Sequence, residues 1–290
     1  MYMRELGSAG LISSAIGLGT AAFAGIYGTV SKRTCKRVVE VALESGMTML
    51  DTADFYAGGD IERLLGESVA ARRHDVLIAT HGGVQNAPDG SPTATNGNPR
   101  YLATACDASL RRLRTDYIDL YYLSRVDPRV PVEESVGMLA ELVAAGKIRH
   151  IGMYQASADD LRRAWAVHPI SALAVDYSLR IRAAEKEILV TAAELGVGVV
   201  AYCPLARGLL TGGTPPASTQ EHEALHTLEA EAAELDVGMA RLALAWLSRC
   251  RHVVSTPSSR SPAHAEMNAS AVDIRLSADV CARLEGAFPP

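Results

Sequence analysis

A carboxylate pair and a phenol follow directly on an apolar stretch of this chain. The run VALESGMTML passes into LDTADFYAGGD, which brings Asp51, Asp54 and Tyr56 close together along the sequence. A solvated loop would explain such a pattern without any function. A proton-handling site would explain it too, because a phenol can donate a proton and a carboxylate can orient the groups around it.

Other polar side chains stand where other apolar runs end. The segment IATHGG ends near His81, and YYLSRVDP ends near Ser124. Five more positions of this kind are Tyr154, Gln155, Asp176, Tyr202 and Arg207. An acid, an imidazole and a phenol suit proton transfer. A metal site is not expected, because these positions offer one histidine and few carboxylates.

The alternation of elements indicates how these positions could meet. Strand-like runs SAIGLG, TMLDT, VLIAT, YIDLYYL, IRHIGM, ALAVDY, GVVAY and HVVST alternate with amphipathic helical segments. Continuous apolar strands separated by helices predict a parallel sheet covered on both faces. Eight such units predict an α/β fold, a (β/α)8 TIM barrel forming a single domain over residues 1–290. An open doubly wound sheet is the alternative, but GLGTAAFAG lacks its full glycine pattern.

Three further segments carry structural predictions. MRELGSAGLISS predicts an N-terminal β-hairpin that closes the barrel bottom, and QEHEALHTLEAEAAELDVGMARLALAWLSR predicts one long helix. The loop QNAPDGSPTATNGNPR follows the third strand-like run. It should lie on the C-terminal rim, where barrel enzymes bind substrate.

Composition narrows the classes of function. The net charge of -5 gives no basic footprint for nucleic acid. Five scattered cysteines without a CxxC pair indicate a reduced, cytoplasmic protein. Neither a signal peptide nor a membrane span is expected, since no apolar run is long enough. The many Ala and Arg residues suggest a bacterial source and specialised metabolism.

Several motifs resemble those of the aldo-keto reductases over almost the whole chain. They are GLGT, LDTADFYAGGDIERLLGE, SLRRLRTDYIDLYYL, RVDP, VPVEES, AGKIRHIGM and AYCPLARGLLTG. The resemblance implies a (β/α)8 barrel that binds NADPH along its rim and reduces aldehydes and ketones. It also implies a catalytic set of an Asp, a Tyr acid, a Lys that lowers the pKa of the Tyr, and a carbonyl-orienting His.

Half of that catalytic set is replaced here. The family Asp and Tyr fall on Asp51 and Tyr56, whereas the Lys position is His81 and the His position is Ser124. A positively charged His81 beside Asp51 would still lower the pKa of the Tyr56 phenol. This hypothesis predicts a proton relay of Asp51, His81 and Tyr56.

The cofactor positions are altered as well. The serine and asparagine-like pair that grips the nicotinamide carboxamide falls on Tyr154 and Gln155, and a glutamine on the sixth strand falls on Ala174. Tyr202 matches the aromatic that stacks on the nicotinamide. If NADPH binding is retained, the remaining contacts fall on Leu205, Arg207, Ser258, Ser259, Arg260, His264 and Asn268. Of the adenosine-phosphate motif, only Ser259 and Asn268 match.

Three hypotheses follow. Proton chemistry is better preserved than hydride chemistry, because a poorly anchored nicotinamide loses the geometry that transfer requires. The favoured expectation is a non-redox enzyme that needs no cofactor and performs dehydration, elimination, cyclisation or isomerisation on a small metabolite. The alternatives are an atypical NADPH-dependent reductase and a catalytically silent barrel that binds a ligand or partner. Phe23, Phe55, Tyr154, Gln155 and Asp176 are the expected substrate pocket, with an apolar face.

Overall fold

The computed structural model describes residues 1–86 and 92–290. The strands are β1 (Met3–Leu6), β2 (Leu11–Ser14), β3 (Leu18–Gly19), β4 (Met49–Asp51), β5 (Leu77–Gly82), β6 (Val84–Asn86), β7 (Pro92–Thr95), β8 (Ile118–Ser124), β9 (Ile148–Tyr154), β10 (Ala172–Asp176), β11 (Gly198–Tyr202) and β12 (Val253–Ser255).

The helices lie between and after these strands. They are α1 (Lys32–Glu44), α2 (Asp60–Val69), α3 (Pro99–Leu113), α4 (Val132–Ala144), α5 (Ala158–Val167), α6 (Ile188–Glu194), α7 (Thr219–Glu234), α8 (Met239–Ser248), α9 (Pro262–Ala269) and α10 (Ala278–Ala287). None of the helices in residues 1–86 and 92–290 combines the length and the apolar character needed to cross a membrane.

A closed parallel sheet forms the centre of the fold. Its strand order is β3, β4, β5, β8, β9, β10, β11 and β12, and every pairing is parallel. Parallel bridges from Ile16 to Ser255 and from Gly19 to Ser258 join the first strand to the last. The predicted (β/α)8 barrel is confirmed, and the strand ends carrying the candidate residues meet at one rim.

The barrel interior is a packed core of its own. Its buried members come from alternating strand positions and are Leu6, Leu11, Met49, Leu77, Ala79, Leu120, Tyr122, Ala172, Ala174, Val200 and Val254. Tyr154 and Tyr202 pack onto this cluster from the rim side. The rim with the candidate residues therefore rests on a filled barrel rather than on an open channel.

The N-terminal hairpin lies at the opposite end. β1 and β2 pair antiparallel, and the backbone nitrogen of Ser8 in the turn donates to the carbonyl of Gly196 at 2.7 Å. Gly196 lies just before β11, at the amino end of that strand. The predicted hairpin at the barrel bottom is thus confirmed.

Two predicted segments differ from the structure. The single long helix predicted over residues 220–249 is wrong, because α7 ends at Glu234 and α8 begins at Met239. Asp236 has a φ of 52°, a left-handed conformation that interrupts the helical hydrogen bonding between them. In the predicted rim loop, β6 and β7 pair antiparallel, and residues 87–91 lie outside the described residues.

Candidate active site

Asp51 and His81 form the buried centre of the candidate site. Asp51 is the last residue of β4, and His81 is the next-to-last residue of the neighbouring strand β5. Nε2 of His81 lies 3.6 Å from Oδ1 of Asp51. Thr256 donates a 3.3 Å hydrogen bond to the other carboxylate oxygen of Asp51. Oδ1 of Asp51 and Nδ1 of His81 are buried and have no hydrogen-bond partner among the described residues. Such orphaned polar atoms are costly in a core and typical of a site that receives a ligand.

Tyr56 begins the short 3-10 helix Tyr56–Gly59 just beyond β4. Its ring packs edge-on against Phe55, with the ring centroids 5.0 Å apart. Burial, and then the nearby charge of Asp51, raise the pKa of Tyr56 well above its ordinary value. The expected lowering of this pKa by His81 is therefore not what the structure shows. Tyr56 is a neutral phenol, which can donate a hydrogen bond or a proton to a substrate oxygen.

An aromatic pair covers the rim beside these residues. The rings of Tyr154 and Tyr202 are stacked, with centroids 4.8 Å apart and planes inclined by 24°. The amide nitrogen of Gln155 donates to the hydroxyl of Tyr202. His81 stands edge-on to Tyr154 at 5.0 Å. Tyr154 thus reaches the candidate centre, and both Tyr154 and Gln155 contact Tyr202 directly.

Small side chains flank Tyr154 on both neighbouring strands. Ser124 at the end of β8 and Ala174 in β10 are its register partners. In a parallel sheet, paired residues point to the same face. The large ring of Tyr154 therefore stands between two short side chains. Ser124 is buried and close to Tyr154, but its place in catalysis stays a prediction.

The other expected pocket residues divide between rim and core. Phe55 is half-buried and stands edge-on to His81 at 6.2 Å, so it lies at the rim. Phe23 is buried in the main hydrophobic core, which is the placement of a packing residue. Asp176 accepts a 3.1 Å hydrogen bond from Arg207, and burial raises its pKa while Arg207 lowers it. Leu205 packs against the main core.

Backbone strain is concentrated at this rim. Eight non-glycine residues in the described part of the chain have positive φ, and six of them follow barrel strands: Ala57, Arg125, Gln155, Cys203, Ala206 and Arg207. The other two, Arg114 and Asp236, lie just beyond the C-terminal ends of helices. Strained conformations of this kind persist where surrounding structure enforces them, most often at functional sites.

The residues that the sequence predicts to contact the adenosine of NADPH lie after β12. Ser258 is the bridge partner of Gly19, and the hydroxyl of Ser259 both accepts from and donates to the backbone of Ser261. Arg260 is exposed and reaches toward the loop after β3, because a Cβ built on Gly28 would lie 2.9 Å from its guanidinium. His264 is exposed on α9 and Asn268 is buried on the same helix.

The two ends of NADPH are unequally provided for by these residues. Arg260 is exposed and offers positive charge to a phosphate. At the other end, the Tyr154 ring is stacked on Tyr202, the residue that matches the nicotinamide-stacking aromatic of the family. The carboxamide-binding glutamine of the family is Ala174 here and offers no hydrogen bond. The arrangement shown therefore provides fewer contacts for the nicotinamide end than the family pattern implies.

Two contributors were not anticipated from the sequence. Tyr122 lies inside the barrel and packs against His81, with ring centroids 4.7 Å apart. Thr256, the residue after β12, donates its hydrogen bond to Asp51 from a position that the sequence had not singled out. Tyr122 could have been found from its register, since it pairs with His81 across β5 and β8. Within the residues that the structure describes, no cluster of His, Cys, Asp or Glu side chains could hold a metal ion.

Comparisons with known proteins agree with the fold and the strand-end motifs. The model of the aldo/keto reductase family matches residues 15–288. A probable aldo-keto reductase 1 from Glycine max is 35% identical over 295 residues, covering 94% of this chain and 85% of that protein.

Two solved structures are also similar. An aldo/keto reductase from Klebsiella pneumoniae in complex with NADP and acetate is 28% identical, with a TM-score of 0.82, and covers 99% of this chain and 96% of that one. The holo form of an aldo-keto reductase from Bacillus halodurans is 27% identical, with a TM-score of 0.88 and the same coverage. The chain belongs to the aldo/keto reductase family.

Proposed function

We propose that the protein is an NADPH-dependent reductase of small aldehydes or ketones, built on an altered catalytic set. The observation that carries the proposal is the buried His81–Asp51 pair, 3.6 Å apart, at the strand ends where the family places its Lys and Asp. The family relatives support it, since the Klebsiella pneumoniae structure is a complex with NADP. The non-redox chemistry expected from the sequence receives no support from these relatives.

The side chains of this protein have distinct tasks in the proposed reaction. Tyr56 donates the proton to the carbonyl oxygen, because its raised pKa keeps the phenol protonated. His81 and Asp51 form the polar floor of the site and direct the substrate oxygen toward Tyr56. When bound, NADPH supplies the hydride. Phe55 and the aromatic pair provide the apolar wall for the rest of the substrate.

The direct experiment follows NADPH oxidation with a panel of aliphatic and aromatic aldehydes and ketones. Wild-type protein should turn over part of the panel, and Tyr56→Phe should lower kcat by about 10²- to 10⁴-fold, the usual contribution of a positioned acid. His81→Lys should raise turnover, because it restores the cation that the family uses. Tyr117→Phe is a matched control, since Tyr117 lies between Arg73 and Arg149 at the amino end of β8, opposite the candidate rim. Full activity in Tyr56→Phe would exclude Tyr56 as the acid.

A second candidate function rests on a different observation. The stack of Tyr154 on Tyr202 leaves the nicotinamide end poorly provided for, whereas His81 and Asp51 are paired and the charge of Asp51 acts on Tyr56. Acid–base chemistry without a cofactor, namely dehydration, elimination, cyclisation or isomerisation, would use these three residues alone.

Cofactor-free incubation separates the two candidates. Hydroxycarbonyl compounds are incubated with the protein without nicotinamide, and products are followed by NMR. Turnover that disappears in Tyr56→Phe would establish the non-redox function. NADPH oxidation matched by alcohol formation would establish the reductase. A protein inactive in both assays, with cofactor bound and the fold intact, would contradict both.

A further inference from the structure

We propose that Tyr154 is an internal occupant of the nicotinamide face, so that it determines whether a bound NADP(H) can place its ring for reaction. The inference rests on the proposed function, since it concerns the same rim. It assigns to Tyr154 a specificity role that the family resemblance alone would not give, because the family has a serine there. In this protein the adenosine end of the cofactor should bind independently of the nicotinamide end.

The first step of the argument is the position of the ring. Tyr154 stacks on Tyr202 at 4.8 Å with an interplanar angle of 24°, which is an offset-stacking geometry. One face of the Tyr202 ring can stack against only one flat ring at a time. His81 packs edge-on to the same Tyr154 ring at 5.0 Å and holds it from the barrel side.

The second step is that the surroundings are matched to the ring. Its register partners Ser124 and Ala174 are both small, at positions where the family has a histidine and a glutamine. Relative to the family pattern, the side chain at position 154 is larger and those at positions 124 and 174 are smaller. Cores accept such substitutions best when total volume is kept, so the three positions form one packing unit.

The third step is a hydrogen bond that holds the ring of Tyr202. The Gln155 amide donates to the Tyr202 hydroxyl, and Gln155 has a left-handed backbone with φ of 53°. Its backbone nitrogen also donates to the carbonyl of Ala174 at 2.9 Å. The backbone bond holds Gln155 in place, and its amide in turn holds the hydroxyl of the Tyr202 ring that Tyr154 covers.

The test compares two ligands by calorimetry, NADP⁺ and adenosine 2′,5′-bisphosphate, which lacks the nicotinamide. Wild-type protein should bind the two ligands with similar affinity, because the nicotinamide of NADP⁺ adds little binding free energy. Tyr154→Ser should bind NADP⁺ about 10-fold more tightly, the size of effect expected when one competing aromatic stack is removed. Its affinity for the bisphosphate should stay unchanged.

Tyr154→Phe is the matched control. It keeps the ring and removes only the hydroxyl, so it should resemble the wild type with both ligands. An affinity gain in Tyr154→Phe equal to that in Tyr154→Ser would overturn the occupancy argument, since the ring would then not be the obstacle.

The remaining outcomes decide the inference and the proposed function separately. Wild-type binding of NADP⁺ much tighter than of the bisphosphate, with no gain in Tyr154→Ser, would overturn the inference and leave a reductase possible. A gain in Tyr154→Ser without carbonyl reduction by either protein would retain the inference and reject the reductase. Binding of neither ligand by either protein would overturn the inference.

Discussion

The hydroxyl of Thr80 donates a 2.7 Å hydrogen bond to the carboxylate of Glu62, whose side chain is fully buried. Thr80 precedes His81 in β5, and Glu62 lies in the first turn of α2, so the bond joins the strand that carries His81 to a helix of the outer layer. Arg112 on α3 donates from Nε to the other oxygen of Glu62. Both carboxylate oxygens are therefore satisfied, and the charge is paired.

Removal of Arg112 should strongly destabilise the fold. Arg112→Ala leaves the buried Glu62 carboxylate without its cation, which typically costs about 3–5 kcal/mol of unfolding free energy. Urea unfolding of the variant should show this loss as a lower midpoint. Arg37→Ala is the control, because Arg37 and Glu40 form an exposed pair whose loss should cost at most about 1 kcal/mol. Equal effects of the two substitutions would contradict the buried role of Arg112.

Asp54 should make the protein less stable as pH rises. Burial, with the neighbouring Glu62 charge, raises its pKa to about 8 in the folded state, against 3.8 as the reference value. The folded state then holds the proton more tightly than the unfolded state. Stability from this group is full below pH about 4 and declines as pH rises toward 8.

Thermal unfolding across this pH range checks the prediction. Asp54→Asn removes the titrating group while keeping its shape, so its Tm advantage over the wild type should grow between pH 5 and pH 8, by several degrees. Parallel Tm profiles for the two proteins would show that Asp54 does not titrate in this window. Asp60→Asn, at an exposed position on α2, should leave the wild-type profile unchanged.

The barrel was predictable because apolar strands and amphipathic helices repeat, and because the motifs around Asp51 and Tyr56 are specific. The sequence also placed His81 and Ser124 at strand ends, where the structure has them. The Tyr154–Tyr202 stack was only partly foreseeable. A larger residue at position 154 signals lost space, but which ring face it covers depends on side-chain rotamers and on neighbours from two other strands.

The pKa of Tyr56 could not be read from the sequence for a similar reason. Residue types showed a histidine in place of a lysine, which suggested that a cation would tune the phenol. The structure shows that burial dominates and that Asp51 acts in the same direction. Depth of burial depends on how Phe55 and residues distant in the sequence pack around Tyr56, and local pattern does not encode that packing.

Gly152 should be required for the position of Tyr122 beneath His81. A Cβ at residue 152 would lie 2.4 Å from Cδ1 of Tyr122, far inside van der Waals contact. Gly152→Ala should therefore push that ring toward His81 and destabilise the protein by about 1–3 kcal/mol, as overpacked cores do. Gly137→Ala, in α4 with nothing near the added atom, should stabilise by up to about 1 kcal/mol. Chemical denaturation measures both changes, and a neutral Gly152→Ala would refute the close packing.

Ser124 and Tyr154 should prove energetically coupled, because they are register partners whose side chains share one space. Ser124→His alone inserts a ring beside the Tyr154 ring and should cost about 1–3 kcal/mol of unfolding free energy. In a Tyr154→Ser background the histidine has room, so its cost should fall by at least about 1 kcal/mol. The coupling is measured by a double-mutant cycle in urea. Ser124→His combined with Val190→Ala, an exposed position on α6, should be additive. Additivity of the Ser124 and Tyr154 substitutions would mean that the serine does not accommodate the tyrosine.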